Sequence, residues 1–219
     1  MTLGKVLITA ASVKGHAPAL QALRDAGCEL VLANTPSPCT EEWLLEQTQD
    51  IAGLVFAMEP VSARLLESAS RLRVIARPGV GYDTVDIAAA TRRKVAVTVA
   101  AGTNDQSVAD HVFGLLLMAA RGLVTAVNSV QAHGWERPTG VDVWRKTLAV
   151  IGYGRIGQAI ARRARGFDMR VLVVTPRPGP QAEGIEYVSL DDAVAQADFV
   201  SLSAPLTPAT ENLINATTL

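Results

Sequence analysis

Short β-branched and aliphatic runs alternate with alanine- and leucine-rich stretches along most of the chain, a pattern that predicts parallel α/β architecture. The first part reads as a strand over 6–9, a helix over 18–26 stopped by Gly27, and a strand over 29–32. A helix then opens at Glu41 behind the capping hydroxyl of Thr40, followed by a strand over 51–56, a helix over 62–68 and a strand over 72–76. Asp86 caps a helix over 87–93, and a strand follows over 95–99. The rhythm then changes, because 106–130 is helical for far longer than anything before it. Within it Val112, Leu115, Leu116, Ala119, Leu123 and Val127 recur at three- and four-residue steps, predicting a buried stripe, and Gly134 and Pro138 end the stretch. From Thr147 the alternation resumes, with strands over 148–151, 171–174, 186–188 and 199–202 and helices over 156–165 and 190–196. A lobe boundary near Val99 follows, giving one lobe over 1–99 and a second over 100–219.

Composition narrows the class. The 219 residues exceed one average domain of about 150 and fall short of two. With 49% hydrophobic and 19% charged residues the chain can bury a core, which argues against disorder. Lys and Arg number 20 against 21 Asp and Glu, so no global charge advertises nucleic acid or a membrane surface, and neither is an expected partner. Mean hydropathy is +0.23, yet the longest apolar run, 112–120, is nine residues. A membrane span needs about 20. Met1-Thr2-Leu3-Gly4-Lys5 leads straight into a strand, with no basic head and small-residue cleavage site. The two cysteines, Cys28 and Cys39, form no Cys-x-x-Cys motif and have no nearby histidine. The expectation is a reduced, cytoplasmic protein without a structural metal.

The chemistry concentrates at Gly152-Tyr153-Gly154-Arg155-Ile156-Gly157, a G-x-G-x-x-G sequence that directly follows an apolar strand and opens a helix. Gly152 permits the tight turn, Gly154 lets a pyrophosphate approach the backbone, and Gly157 lets the helix pack close to the strand. The helix N-terminus offers free N–H groups and a positive dipole end. A dinucleotide site is the expectation. In NAD-preferring sites the second strand ends in Asp or Glu, which takes the ribose hydroxyls. Here Thr175 stands 23 positions after Gly152, with Arg177 two further on. A carboxylate would repel a 2′-phosphate, whereas a hydroxyl beside an arginine can receive one, so NADP(H) is favoured over NAD(H). Between Arg145 and Arg177 lie eight basic residues and one acid, Asp168. Arg162, Arg163 and Arg165 lie deep in the helix and read as a solvated face, leaving Arg155 and Arg177 as phosphate candidates.

With that turn downstream of another α/β lobe, the sequence resembles the D-isomer-specific 2-hydroxyacid dehydrogenases. Three further segments carry the resemblance: Arg77-Pro78-Gly79-Val80-Gly81-Tyr82-Asp83-Thr84-Val85-Asp86, the stretch from Gly102-Thr103-Asn104 through Ser107-Val108-Ala109-Asp110-His111, and Ala204-Pro205-Leu206-Thr207-Pro208-Ala209-Thr210. It implies a flavodoxin-like substrate lobe and a Rossmann-type nucleotide lobe, incomplete after about its fourth strand. It also implies a homodimer and hydride transfer between a nicotinamide cofactor and a small 2-keto or 2-hydroxy acid. By the same resemblance the backbone around Val80 and Gly81 holds the substrate carboxylate. That fits a Gly-Val-Gly loop whose N–H groups form an anion nest. Met58 and Glu59 occupy the other substrate loop. Val108 falls at the nicotinamide end, Arg155 and Ile156 at the pyrophosphate, and Ala204, Pro205 and Thr210 on the adenosine side.

Phosphoglycerate dehydrogenases carry an arginine in the second substrate loop, where this chain has Met58 and Glu59. Glyoxylate- or hydroxypyruvate-like acids are therefore expected, with a phosphoglycerate dehydrogenase-like enzyme and a non-catalytic dinucleotide-binding protein or truncated inactive fragment as alternatives. The catalytic arginine, glutamate and histidine of the family follow the segment matching Asn212-Leu213-Ile214-Asn215, so they are expected beyond Leu219. His111, His133, Asp110 and Asp142 are assigned no acid/base role. Several positions depart from the family: Val99-Ala100-Ala101 replaces its Asn-Thr-Pro hinge, Lys94 and Arg145 replace glycines before strands, and Ser203 replaces a histidine. Asp110 stands where many members have glutamate.

Overall fold

The computed structural model describes residues 3–34, 36, 39–180 and 183–218; of the residues named above, Met1, Thr2 and Leu219 lie outside that set. The chain divides into two compact units, Met1–Thr103 and Asn104–Leu219.

In the first unit β1 (Gly4–Ile8) leads through a single turn, α1 (Ala11–Lys14), and α2 (Ala17–Asp25) to β2 (Cys28–Leu32). Then come α3 (Glu41–Gln47), β3 (Gly53–Val55), α4 (Ala63–Ser68), β4 (Val74–Arg77), α5 (Ile87–Arg92) and β5 (Ala96–Val99). The five strands form one parallel sheet in the order β2-β1-β3-β4-β5, the flavodoxin-like arrangement. Alternation along β1 sends Val6 and Ile8 to the face where Leu20 of α2 packs. Leu7 points to the other face, among Leu44, Leu54, Phe56, Leu65 and Ile75. A sheet buried on both faces needs helices on both, which explains the unbroken apolar strands. Thr40 and Asp86 cap their helices as the sequence predicts, and Ser62, expected as the first residue of its helix, is the cap of α4. The Thr40 hydroxyl accepts from Trp43 N–H at 3.3 Å, Ser62 from Leu65 at 3.3 Å and the Asp86 carboxylate from Ala89 at 2.8 Å.

The second unit opens with α6 (Asp105–Arg121) and α7 (Leu123–Gln131), then β6 (Thr147–Ile151), α8 (Arg155–Ala164), β7 (Arg170–Val174), β8 (Ile185–Tyr187), α9 (Leu190–Gln196) and β9 (Phe199–Leu202). Its four strands are parallel in the order β8-β7-β6-β9. This is the 3-2-1-4 order of a Rossmann sheet, with its switch point between β6 and β9. Leu148 and Val150 face Ile160 of α8 and Phe113 of α6, while Ala149 packs with Leu172 and Ala193 on the opposite face.

The single helix expected over 106–130 is two. Gly122, at φ 60°, ends α6 in the left-handed conformation and α7 leaves at a bend of 74°. A side chain at Gly122 would meet Pro138 Cβ at 2.8 Å, so the break is built into the packing. The buried stripe is also displaced from the expected one. Ala109, Phe113, Leu116 and Ala120 are buried, whereas Leu115 and Val127 are each 52% exposed. Apolar residues occupy several faces of this stretch, so three- and four-residue spacing alone does not select the buried one. Among the described residues no single helix is long and apolar enough to cross a membrane; the bent α6–α7 pair passes by length and composition only.

Candidate functional site

The glycine turn sits at the carboxyl end of β6, at the switch point of its sheet. Gly152 has φ 93°, and its N–H donates to Val174 carbonyl at 2.9 Å, joining the turn to β7. A Cβ on Gly152 would lie 2.5 Å from Ala204 N, and one on Gly157 would lie 2.1 Å from Gly152 carbonyl oxygen. Both glycines are demanded by backbone-to-backbone approach. Gly154 is different: a Cβ there would meet nothing within 4 Å. It caps α8 from an extended conformation without a side-chain bond. Among the described residues, no acceptor meets the N–H of Gly154, Arg155 or Ile156. A crowded turn on two sides, open on the third and lined by free donors, fits a dinucleotide pyrophosphate.

The other nucleotide-side candidates gather at the same sheet end. Ser203 N–H donates to Ile151 carbonyl at 2.7 Å, bringing the loop after β9 against Gly152 and placing Ala204 beside it. That loop is folded on itself by Thr210, whose hydroxyl donates to Pro205 carbonyl at 2.5 Å and accepts from Thr207 N–H at 2.8 Å. Thr175 directly follows β7, and its hydroxyl accepts from Arg177 N–H at 3.3 Å. The Arg177 side chain is exposed and has no partner among the described residues. Val108 is half-buried near the start of α6, the helix that packs on α8.

In the first unit the loops after β3 and β4 are neighbours because their strands are. Val80 and Gly81 are half-buried, and among the described residues no acceptor meets their N–H groups. Met58 is 67% exposed, but Glu59 is only 6% exposed. The Glu59 carboxylate accepts from the N–H groups of Ala57 and Met58 at 2.7 and 2.8 Å. Burial acts to raise its pKa, but the Thr9 side chain and the backbone donors outweigh burial and hold the carboxyl below its ordinary range. The side chain of Glu59 is therefore occupied within its own loop, and Met58 is the one of the pair that reaches solvent. Arg77, at the end of β4, joins the two loops: its guanidinium donates to Gly81 carbonyl and, at 2.8 Å, to Met58 Sδ. The sequence motifs assign Arg77 no task of its own. The available signal was a charged residue closing an otherwise apolar strand.

One further expectation is corrected. Arg163 is not part of a solvated face: it is ion-paired to Asp110 at 2.6 Å across the α6–α8 packing. Arg165 donates to Glu183 carbonyl at 2.8 Å. Asp142 pairs with Arg121 at 3.0 Å, so neither Asp110 nor Asp142 is set against a histidine. Among the described residues no group of three or more His, Cys, Asp or Glu side chains could hold a metal.

Two parallel α/β sheets, one carrying a dinucleotide turn at its switch point, define the class as a two-unit nucleotide-binding α/β protein. Residues 113–219 match the model of the D-isomer specific 2-hydroxyacid dehydrogenase, NAD binding domain. A glyoxylate reductase of Thermococcus kodakarensis is 40% identical over 187 residues, covering 80% of this chain and 56% of the relative. A D-3-phosphoglycerate dehydrogenase of Mycobacterium leprae is 42% identical over 167 residues, covering 74% of this chain and 32% of the relative. The crystal structure of a protein from Thermus thermophilus superposes with a TM-score of 0.84 at 33% identity, covering 98% of this chain and 69% of that one. The chain belongs to the D-isomer specific 2-hydroxyacid dehydrogenase family, and its second unit carries the family's nicotinamide-dinucleotide-binding domain. It spans about half the length, 56%, of the glyoxylate reductase it matches.

Proposed function

We propose that this chain serves hydride transfer between a nicotinamide cofactor, NADP(H) in preference to NAD(H), and a small unphosphorylated 2-keto or 2-hydroxy acid of the glyoxylate or hydroxypyruvate kind. The observation that carries the reading is the glycine turn, closed around Gly152 and Gly157 and open over Gly154. When bound, the nicotinamide supplies the hydride acceptor or donor. The free N–H groups of Gly154, Arg155 and Ile156 hold the pyrophosphate, and the loop at Ala204, Pro205 and Thr210 flanks the adenosine. Thr175 and Arg177, whose side chain has no partner among the described residues, receive the 2′-phosphate, where a carboxylate would repel it. The N–H groups of Val80 and Gly81 hold the substrate carboxylate as an anion nest. Met58 and Glu59 stand where phosphoglycerate dehydrogenases carry an arginine, and the nearby Arg77 guanidinium is already engaged by Gly81 carbonyl and Met58 Sδ, which ranks the phosphoglycerate reading second.

A homodimer belongs to the same proposal. Leu115, Met118, Leu123, Val124, Val127 and Val130 leave an apolar surface exposed along α6 and α7, of the kind that marks a protein interface. A cytoplasmic location is likewise proposed, on the composition and the two free cysteines.

The test is fluorescence titration of the chain with NADPH and NADH, followed by oxidation of the reduced cofactor with glyoxylate, hydroxypyruvate and, in the reverse direction, 3-phosphoglycerate. Tighter NADPH binding is expected, together with turnover of the unphosphorylated acids by the protein that carries the catalytic arginine, glutamate and histidine expected beyond Leu219. Equal affinities would remove the cofactor preference, preferred use of 3-phosphoglycerate would promote the second reading, and binding without turnover of any acid would leave a non-catalytic dinucleotide-binding protein.

A further inference from the structure

We infer that Arg163 is a positioning residue, which fixes the first turns of α6 against the helix of the glycine turn and so sets where the nicotinamide end of the cofactor lies. The inference rests on the cofactor reading above and adds to it a residue that touches no ligand. Arg163 stands in the last turn of α8, whose first turn offers the free N–H groups. From there its side chain crosses to α6. Nε donates to the Asp110 carboxylate at 2.7 Å, Nη1 to the Gln106 side-chain oxygen at 3.0 Å, and Nη2 to the Gln106 backbone carbonyl at 3.2 Å. Nη1 also donates to Ala159 carbonyl in its own helix at 3.1 Å, which fixes the direction of the guanidinium.

Gln106 and Asp110 bracket Val108, so the segment proposed for the nicotinamide end is gripped on both sides by one planar, always-charged group. Two features separate this from an ordinary surface ion pair. The Arg163 side chain is mostly covered, at 23% exposure against 70% for Asp110. One of its acceptors on α6 is the main-chain carbonyl of Gln106, so the contact constrains backbone position rather than pairing charge alone. Among the described residues, neither Arg162 of the same helix nor Arg165 just after it donates to α6. The pyrophosphate and nicotinamide ends of the proposed site are therefore coupled through Arg163, with α8 and α6 as rigid struts.

The test uses the full chain carrying Arg163→Gln, Arg163→Lys, Asp110→Asn or Asp110→Glu. Three readouts apply: NADPH affinity, the emission spectrum and anisotropy of the bound reduced nicotinamide, and turnover of a 2-keto acid. The expected result for Arg163→Gln and Asp110→Asn is unchanged NADPH affinity with an altered nicotinamide emission. Turnover falls by about 10- to 100-fold, as displacement of a reacting group by about 1 Å produces. Asp110→Glu, which keeps the carboxylate, restores most of what Asp110→Asn loses, and Arg163→Lys, which keeps the charge without the fork, restores less.

Wild-type emission and turnover in both Arg163→Gln and Asp110→Asn would overturn the inference. So would a parallel fall of affinity, turnover and melting temperature in both, because that marks a purely structural contact. Asp110 is exposed, so its variants report even where Arg163→Gln folds poorly. Failure of the cofactor reading shows in the wild type alone, as an absence of NADPH binding, and takes the inference with it. If the wild type binds NADPH but turns over no acid, the emission and anisotropy decide.

Discussion

Each of the two sheets ends in a loop whose amide donors meet no acceptor among the described residues, at Val80 and Gly81 in the first unit and at Gly154, Arg155 and Ile156 in the second, yet the loops are held by different means. The second is held by the backbone itself, because Gly157 lies against the Gly152 carbonyl and Gly152 against the amide of Ala204. Side chains hold the first. Glu59 ties the loop after β3 through two N–H groups, and Arg77 ties that loop to Gly81. A Cβ on Gly81 would meet the tip of Arg77 at 2.9 Å, a movable group, where one on Gly157 meets a fixed carbonyl. Backbone-built sites fail at single glycines, whereas side-chain-built sites fail by degrees.

The largest expected effect follows directly. Gly157→Ala places a methyl 2.1 Å from a backbone oxygen that cannot yield without moving β6 or α8. A loss of about 3 kcal/mol or more is expected, seen as a drop in melting temperature together with loss of NADPH binding. Gly154→Ala separates the two, since its Cβ meets nothing in the protein and would enter only the space proposed for the pyrophosphate. Its melting temperature should match the wild type while NADPH affinity falls by about tenfold, or 1.4 kcal/mol. Gly81→Ala, by contrast, should cost little stability because Arg77 can shift. If Gly81→Ala proves as damaging as Gly157→Ala, the contrast between the loops is wrong.

Glu59 tests the first unit's mode of construction. Replacing it with Ala leaves the N–H groups of Ala57 and Met58 without their buried acceptor, at a cost of about 1–3 kcal/mol measured by urea denaturation. The pH dependence has a definite sign. Because the folded-state pKa of Glu59 is lowered, its contribution is complete above the ordinary carboxylate range and is lost as pH falls through the folded value. Glu59→Gln should therefore lose stability near neutrality and show a flatter decline on acidification than the wild type. An unchanged acid limb would show that the carboxylate contributes no net stability.

The same division explains what could be read from the chain beforehand. Parallel α/β order, the capping residues Thr40 and Asp86, and the glycine turn are local: each depends on residue types at fixed offsets, and each stands close to where the spacing puts it. Arg77 and Arg163 depend on what lies across a sheet or a helix pair, 19 and 53 positions away in sequence for Met58 and Asp110. No offset rule reaches that far. Glu59 was visible as a loop residue, but only packing decides whether a carboxylate turns outward or caps its own loop. The break at Gly122 was also local, yet apolar residues on several faces of 106–130 masked it.

A smaller effect is expected at the end of β7. Thr175→Glu removes the hydroxyl that accepts from Arg177 N–H and puts a carboxylate at the edge of the open turn. The ratio of NADPH to NADH affinity should fall by about tenfold, close to 1.4 kcal/mol, with no change in melting temperature. Fluorescence titration of both cofactors measures it. A ratio that does not move would place the 2′-phosphate away from this strand end.

The smallest effect sets the two units side by side once more. Lys94 precedes β5 at φ 55° and Arg145 precedes β6 at φ 59°, both in the left-handed region that glycine occupies without penalty. Lys94 keeps its backbone bonded, with its N–H donating to Thr91 carbonyl at 3.1 Å and Val95 N–H donating to Ala90 carbonyl at 2.9 Å. Its side chain makes no bond among the described residues. Arg145 differs because its guanidinium lies 4.3 Å from the centre of the Trp144 ring. Lys94→Gly removes the Cβ penalty and gives up only chain entropy, so a net gain of about 0.5 kcal/mol is expected. Arg145→Gly gains the same relief but forfeits a cation–π contact worth about 0.5–1 kcal/mol, and should come out neutral or slightly destabilising. Paired urea melts decide it: equal gains from both substitutions would mean that the Trp144 contact contributes nothing and that backbone strain alone governs both turns.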